Sequence, residues 1–432
     1  MLKRTIRTAM AAAVSCALWH APVQAAEGPA IKALVGGTVV DVEAGKTIPD
    51  AVVLVEGERI AAVGRRGEVA IPEGAEQVDA TGRWLLPGLM NMHVHLGLKL
   101  PGAAALALLH ETEAELALRM AKNARDTLMT GTTTIRDPGD DRRADIALDK
   151  AIKRGDFIGP RIFSAGVPIG PTGGHGSEPG TTGIDGPDAV MTAVRSEIAA
   201  GASWIKLMIS RGIASYSGDI AASDMTLEEM RAAVNVASRH GVKVTAHSGS
   251  PLATMEALDA GVSCFEHGYF LTEEVFRRMK KEGAWYVPTI VVSQAGAMEF
   301  FRKIGSPQWY LDRARSVGES HWKALQTAIR VGVNIAMGSD QFPFEPNEGT
   351  VASVREIELY VDAGMTPIQA LRTATTQPAR LLGVEKDLGT ITPGKYADII
   401  MVTGDPTEDI SALRTIGFVM KGGEIYRNDW AE

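Results

Sequence analysis

The chain has 432 residues, of which 45% are hydrophobic, and it carries a formal net charge of −8. That length and apolar content suffice for a large barrel with a small satellite domain. The acidic balance argues against a nucleic-acid partner, because proteins bind nucleic acids through basic surfaces. We therefore expect a globular protein whose partners are small molecules.

The start of the chain has the features of a secretory leader. Lys3, Arg4 and Arg7 form a basic start, a largely apolar, Ala-rich stretch follows, and residues 23–25 fit a small-residue cleavage site. The apolar run is too short to span a bilayer, so no stable membrane insertion is expected. We predict that residues 1–25 are a signal peptide and that the mature protein is secreted or periplasmic.

Both ends of the remaining chain are strand-like. They are rich in Val, Ile and Gly, with short alternations and tight turns. The clearest strands are predicted at residues 36–42, 51–60, 398–402 and 415–426. We assign residues 27–84 and 385–432 to one small composite β-domain, a β-sandwich formed by the two ends of the chain.

Between these ends, strand and helix patterns alternate, which is typical of βα units with a parallel sheet. The predicted strands are residues 86–92, 132–136, 161–165, 204–209, 243–246, 263–266, 285–289 and 334–337. Predicted helices include residues 113–129, 188–200, 227–240, 273–282 and 311–331, and Thr226 with Glu229 forms a capping box. Eight strands predict an α/β fold with a (β/α)8 TIM-like barrel over residues 85–384. Cys264 is predicted to be a small core residue. His321 falls on a helix, is interpreted as an outer-ring residue and is given no function.

Four histidines, a lysine and an aspartate stand at or near the carboxyl ends of these strands. They are His93, His95, Lys206, His247, His267 and Asp340. In a barrel that end is the catalytic face, and imidazoles with a carboxylate suit zinc-like divalent ions. His93 and His95 alternate with Val94, so both imidazoles point the same way from a strand. A lysine fits this set when it is carbamylated by carbon dioxide, because it then carries a carboxylate that can bridge two ions.

On these residues the chain resembles the amidohydrolase superfamily of metal-dependent (β/α)8 hydrolases. The resemblance covers nearly all of the chain after the leader and is carried by the motifs at residues 87–95 and 388–399. Within the superfamily the chain most resembles a group that contains prolidase-type Xaa-Pro dipeptidases, imidazolonepropionase-related proteins and ochratoxin-hydrolysing amidohydrolases. That narrower resemblance is carried by residues 172–176, 204–206, 265–268 and 286–289.

The resemblance implies two divalent metal ions. It assigns His93, His95 and Asp340 to the more buried ion, His247 and His267 to the second, and carbamylated Lys206 to the bridge. Zinc is the default, and manganese or cobalt would serve in the same geometry. A simpler interpretation stays open, in which Lys206 is a barrel-interior lysine paired with a carboxylate, and His247 and His267 are core histidines.

Catalytic and substrate-binding residues follow from the same positions. Asp340 is predicted to accept a proton from the attacking water and to pass it to the leaving amine. His175, in the Gly-rich loop 170–186, is predicted to contact the scissile carbonyl or the developing oxyanion, or else to be an exposed loop histidine. Arg211 and Tyr216 are predicted to bind substrate, Arg211 as a bidentate clamp on a carboxylate, or else to be surface residues.

Four functions are consistent with this chain to different degrees. The first is cleavage of the amide bond in N-acyl amino acids or dipeptides with an apolar C-terminal residue, with ochratoxin A as a candidate substrate. The second is hydrolysis of a cyclic amide, as in imidazolonepropionase or dihydroorotase. Deamination is disfavoured because the superfamily's deaminases typically use one ion and lack the lysine. A binding protein on an inactive barrel is disfavoured by the complete ligand set. Assembly into a homo-oligomer is left open, and fold alone does not determine substrate.

Overall fold

The computed structural model describes residues 30–176 and 182–431, so the predicted leader lies outside the described residues. The strands, in chain order, are β1 Ile31–Asp41, β2 Lys46–Glu56, β3 Arg59–Arg65, β4 Glu76–Asp79, β5 Arg83–Pro87, β6 Leu89–Asn91, β7 Thr132–Asp137, β8 Arg161–Ser164, β9 Trp204–Met208, β10 Lys243–Ser248, β11 Cys264–His267, β12 Trp285–Val287, β13 Asn334–Ile335, β14 Pro346–Asn347, β15 Thr350–Val351, β16 Ile399–Thr403, β17 Phe418–Lys421 and β18 Glu424–Asn428. The helices are α1 Ala103–Ala107, α2 Glu113–Met129, α3 Ala144–Lys153, α4 Pro187–Ala200, α5 Leu227–Arg239, α6 Pro251–Ala260, α7 Glu273–Glu282, α8 Ala295–Lys303, α9 Gln308–Val331, α10 Ala352–Asp362, α11 Pro367–Thr373 and α12 Thr376–Leu382.

The two ends of the chain form one sheet. Its strand order is β18-β17-β16-β5-β1-β2-β3, and β4 pairs with β1. The link between the two ends is the antiparallel pair of β5 and β16, in which Leu86 lies opposite Ile400. Side chains from both ends share one apolar core, which includes Leu34, Leu85 and Phe418. Burial of this shared face holds the two ends together.

Eight parallel strands, β6 to β13, form the TIM barrel. They form two arcs, β6-β7-β8 and β9-β10-β11-β12-β13. Backbone hydrogen bonds join the arcs on both sides: Met208 donates to Ile169 (2.9 Å) and Ile169 donates to Lys206 (2.9 Å), while Met92 donates to Met337 (2.7 Å). The fold class expected from the sequence is therefore confirmed.

One predicted strand is wrong, because residues 86–92 belong to two sheets. Gly88 donates its N–H to Asp398 in the terminal sheet, whereas Leu89 donates to Gly131 in the barrel, each at 2.9 Å. The chain passes tightly under β7 at this point, since a Cβ on Gly88 would lie 2.3 Å from the Thr133 hydroxyl oxygen. Strand β5 therefore ends in the terminal sheet at Pro87, and β6 begins the barrel at Leu89, with Gly88 between them.

The barrel helices form where the apolar periodicity predicts them. Helices α2 and α7 have the predicted bounds, and α5 has the capping box, in which the Thr226 side chain accepts from the Glu229 N–H and the Glu229 carboxylate accepts from the Thr226 N–H. Their apolar residues are buried against the strands, which orients each helix. Within residues 30–176 and 182–431, no helix has the length and apolarity that crossing a membrane requires.

A substitution in the turn at Gly423 tests how closely the two ends of the chain pack against each other. Gly423 has φ +75°, and a Cβ there would lie 2.0 Å from the carbonyl oxygen of Gly57. We expect Gly423→Ala to destabilise the protein by about 2–4 kcal/mol, from backbone strain and overlap together. Gly394→Ala is the matched control, because Gly394 has φ +88° but no atom within 4 Å of the added Cβ. Equal falls in Tm for the two variants would contradict the close packing of the two turns.

Candidate active site

The barrel brings all six predicted ligand residues to one cavity of about 470 Å³. The lining includes His93, His95, Lys206, His247, His267 and Asp340, and His175 from the Gly-rich loop. Lys206 lies on β9, His247 on β10 and His267 at the end of β11, so parallel strands place them side by side. The spacing along the sequence thus becomes proximity at one end of the barrel.

His93, His95 and Asp340 form the tightest cluster in this cavity. Their facing atoms are 3.1 Å apart for His93 Nε2 and His95 Nε2, and Asp340 Oδ1 lies 3.3 and 3.4 Å from these nitrogens. Ligand atoms about 2.1 Å from one ion are about 3.0–3.4 Å apart at octahedral or tetrahedral angles. The three residues therefore fit a divalent ion without rearrangement.

The first two histidines each use Nδ1 for a hydrogen bond within the protein. His93 Nδ1 lies 2.7 Å from Glu266 Oε2, and His95 Nδ1 lies 2.5 Å from the carbonyl oxygen of Gly139. An acceptor at Nδ1 fixes the tautomer in which Nε2 carries the lone pair. Both rings therefore present the nitrogen that a metal ion needs.

The other two histidines are held in the same manner by different ring atoms. His247 donates from Nε2 to the carbonyl oxygen of Arg211 at 3.1 Å, which leaves Nδ1 for a ligand. His267 Nδ1 lies 2.8 Å from the hydroxyl of Thr289, which leaves Nε2. The four rings are thus oriented by neighbouring strands and loops rather than by solvent.

Burial sets the protonation of this site. It lowers the pKa of His93, His247 and His267 well below the ordinary imidazole value and that of His95 to about 4, with the Lys206 charge acting in the same direction. Burial also raises the pKa of the Asp340 carboxyl to about 7. The imidazoles are therefore neutral at pH 7, which is the form that binds metal ions.

Lys206 lies at the centre of the site and is only 1% exposed. Burial lowers the pKa of its amine to about 8. Among the residues that the structure describes, no carboxylate oxygen lies within 4 Å of its Nζ, and the nearby Glu266 is paired with Arg136. In the described part of the chain, Lys206 therefore has no carboxylate partner of the kind that the ion-pair interpretation requires.

Glu266 is a site residue that the sequence analysis missed. It is fully buried and accepts hydrogen bonds from Arg136 and from the Thr245 hydroxyl as well as from His93. Arg136 is also fully buried, and its guanidinium lies over the Trp204 ring at 4.8 Å. The available signal was a pair of residues of opposite charge, each in a predicted barrel strand, since a buried charge requires an opposite one.

The interpretation of His321 as an outer-ring residue is wrong. It is fully buried on α9, with Nδ1 2.9 Å from the Ser293 hydroxyl and Nε2 2.8 Å from the Pro288 carbonyl oxygen. Its ring meets the edge of Tyr269 at 5.0 Å, and Tyr269 stacks on His267 at 5.4 Å. His321 therefore packs against Tyr269, and Tyr269 in turn packs against His267. Cys264, by contrast, is buried as predicted.

Three of the described non-glycine residues with positive φ angles lie at these strand ends. His267, Thr289 and Asp340 follow or end β11, β12 and β13, and their φ angles are +65°, +52° and +50°. Non-glycine residues adopt this left-handed conformation at a cost, and such residues cluster where side chains must be aimed. Asp340 also donates its N–H to the His93 carbonyl oxygen (2.8 Å). This hydrogen bond joins the segment after β13, the last barrel strand, to the segment after β6, the first.

Of the three predicted substrate-binding residues, His175 lines the cavity, whereas Arg211 and Tyr216 are not among its lining residues. His175 lines the cavity and stacks on His247, with ring centroids 3.9 Å apart. Arg211 donates to Asp224 (3.2 Å) and to the Ser217 carbonyl oxygen (2.8 Å), and Tyr216 packs on a tryptophan of α9. Neither Arg211 nor Tyr216 belongs to the described lining of the cavity, so their substrate contacts stay predictions.

The sequence of this barrel and its flanking sheet matches a known family. Residues 84–426 match the profile of the amidohydrolase family. The chain belongs to this family. The family is generally metal-dependent, which agrees with the ligand cluster at the barrel's end.

Several amidohydrolases are similar to the whole barrel. Ochratoxinase from Aspergillus niger is 30% identical over 376 residues, which cover 79% of this chain and 75% of the relative. Its crystal structure aligns with a TM-score of 0.79 over 94% of this chain and 98% of that one. A crystal structure of a Xaa-Pro dipeptidase with bound methionine is 30% identical, with a TM-score of 0.84 over 92% of this chain and all of that one. A dihydroorotase from Pelotomaculum thermopropionicum is 26% identical over 448 residues, 90% of this chain and 91% of the relative. The amidohydrolase described here is therefore a hydrolase of amide bonds.

The contact between Glu266 and His93 generates a test. We expect Glu266→Gln to lower the affinity of the protein for zinc by about 10–100-fold, because an amide holds the His93 ring and its tautomer less firmly than a carboxylate. Competition titration with a chelator measures this affinity. Glu282→Gln, on the outer helix α7, is the control and should bind zinc as the wild type does. Unchanged affinity in the Glu266 variant would show that His93 does not need this contact.

Proposed function

We propose that this amidohydrolase uses two divalent metal ions to release an apolar C-terminal amino acid from N-acyl amino acids or dipeptides. The observation that carries the proposal is the ligand set: four neutral imidazoles, each with one nitrogen held by the protein, lie around Asp340 and the buried Lys206. Among the described residues, no carboxylate oxygen lies within 4 Å of the Lys206 Nζ. Lys206, if carbamylated, would supply a carboxylate that both ions could share. Zinc is the ion expected for these ligands.

Each residue has a distinct role in the proposed reaction. Two bound ions would supply Lewis acidity and a nucleophile at neutral pH. Asp340 accepts the proton of the attacking water and transfers it to the nitrogen of the leaving amine. His175 lies on the cavity wall and donates a hydrogen bond to the scissile carbonyl oxygen.

The cavity supports the choice of substrate class. Apolar and aromatic side chains form part of its lining, among them Ile213, Val292, Phe301 and Tyr310. Such a wall favours an apolar amino-acid side chain. The similarity to ochratoxinase and to a Xaa-Pro dipeptidase supports leaving groups such as Phe, Leu or Pro, and makes ochratoxin A a substrate to test. The predicted leader supports export, and an exported enzyme would have access to peptides and aromatic amides from the environment.

A substrate panel tests the proposal. The metal-loaded enzyme should hydrolyse N-acyl-phenylalanine, ochratoxin A or dipeptides ending in an apolar residue, and should leave dihydroorotate intact. N-acyl-phenylalanine amide is the matched control substrate, and it should react more slowly because the free carboxylate is lost. Opening of a cyclic amide with no cleavage of any linear amide would contradict the proposal and favour a dihydroorotase-like function.

Lys206→Ala tests the bridge between the ions. We expect activity to fall by about a hundredfold or more and at least one metal ion per chain to be lost, because the bridging carboxylate cannot form. Added acetate or formate should restore part of the activity by supplying a carboxylate. Metal analysis, kinetics and circular dichroism measure these effects, and Lys153→Ala on exposed α3 is the control. Full activity and metal content in the Lys206 variant would exclude a two-ion site bridged by this residue.

A further inference from the structure

Ser215 is a buried residue that the proposed reaction does not yet use. It is 3% exposed and lies in the loop after β9. Its hydroxyl oxygen accepts the N–H of Gly212 at 3.0 Å and lies 3.1 Å from His175 Nδ1. The hydroxyl therefore connects the loop after β9 to the histidine that faces the substrate.

The partners available to the Ser215 hydroxyl determine whether it donates to His175 Nδ1 or accepts from it. A serine hydroxyl has one proton to donate and two lone pairs. One lone pair of Ser215 Oγ accepts the Gly212 N–H, and within residues 30–176 and 182–431 the atom facing the hydroxyl proton is His175 Nδ1. If Nδ1 donated instead, the buried hydroxyl proton would lose its acceptor, which is unfavourable. The serine therefore donates to Nδ1.

The loop that carries Ser215 is held firmly. Arg313, on α9, donates to the carbonyl oxygens of Gly212 (2.8 Å), Ile213 (3.2 Å) and Gly218 (2.9 Å). A guanidinium with three carbonyl acceptors fixes the loop as a unit, because its donors form a rigid fork. Ser215 thus contacts His175 from a fixed platform.

The His175 ring is also confined from two sides. One face stacks on His247 with an interplanar angle of 19°. Gly212 lies against both rings, since a Cβ there would be 2.6 Å from His175 Cε1 and 2.6 Å from His247 Nε2. A ring confined in this way, with Nδ1 bonded to the loop, leaves Nε2 as the nitrogen available to a ligand in the cavity.

We propose that Ser215 is a positioning residue that keeps the proton of His175 on Nε2, so that a neutral N–H faces the oxygen of the scissile carbonyl. The inference rests on the proposed function for the identity of that oxygen. In the other tautomer Nε2 would present a lone pair to an oxygen that gains negative charge, and the interaction would be repulsive. Ser215 thus acts on the reaction only through His175.

Kinetics of single and double variants test this coupling. Ser215→Ala should lower kcat about tenfold with KM changed by less than about threefold and zinc content unchanged, as expected for loss of one hydrogen bond that aims a donor. His175→Asn should lower kcat about 10²–10³-fold, and Ser215→Ala should add nothing in that background. Ser217→Ala, exposed in the same loop, is the control and should retain wild-type kcat. Additive losses in the double variant would overturn the proposal.

A spectroscopic measurement tests the tautomer without any substrate. NMR of protein labelled with ¹⁵N-histidine, with the His175 signals assigned by their loss in His175→Asn, should show protonated Nε2 in the wild type and a tautomer mixture in Ser215→Ala. The same tautomer in both proteins would overturn the proposal. If the wild type cleaves no linear amide, the proposed function fails while this readout still decides the role of Ser215. Ser215→Cys, of similar size but with a weak donor, replaces the alanine variant if that variant does not fold.

Discussion

The buried ion pair of Arg136 and Glu266 is the constraint on which the site depends. Both side chains are fully buried, and an isolated charge at such a position would cost several kcal/mol. Arg136 donates from Nε to the Met92 carbonyl oxygen (2.7 Å), and Glu266 accepts from His93. Neither charge can move without leaving the other unpaired, so the pair fixes β6 relative to β7 and β11. The orientation of the His93 ring, a proposed metal ligand, is therefore set by a buried ion pair inside the barrel.

The same pair determines the surroundings of Lys206. Burial lowers the pKa of the Lys206 amine to about 8, while the charges of Glu266 and Asp340 raise this pKa and the charge of Arg136 lowers it. A neutral amine is the form that reacts with carbon dioxide, whereas an ammonium held by a carboxylate is protected from that reaction. The engagement of Glu266 by Arg136 and His93 thus leaves the lysine available for modification. A structural pair that takes no direct part in the proposed reaction thus supports the chemistry that we propose at the lysine.

The sequence predicted the barrel and the grouping of its polar strand ends, because each of those residues closes a short apolar run. It did not predict the partner of Glu266, since strand periodicity shows that a charge is buried but not which distant strand carries the opposite one. The helical pattern of α9 placed His321 on a helix but gave no sign that this face packs over the end of the barrel. The apolar residues on both sides of Gly88 fit a single strand, and only the hydrogen bonds to different sheets reveal two.

The change of sheet at Gly88 has a consequence for the order in which the protein folds. Strand β5 lies between β1, from the start of the chain, and β16, from its end. Pairings between such distant segments form slowly, because the entropy of closing a long loop opposes them. Strand β6 continues from β5 and leads into His93, so docking of the last strands onto β5 adds a restraint just before the start of β6. The tail of the chain therefore also restrains the strand that leads into the active site, and a nascent chain still lacking the tail lacks that restraint.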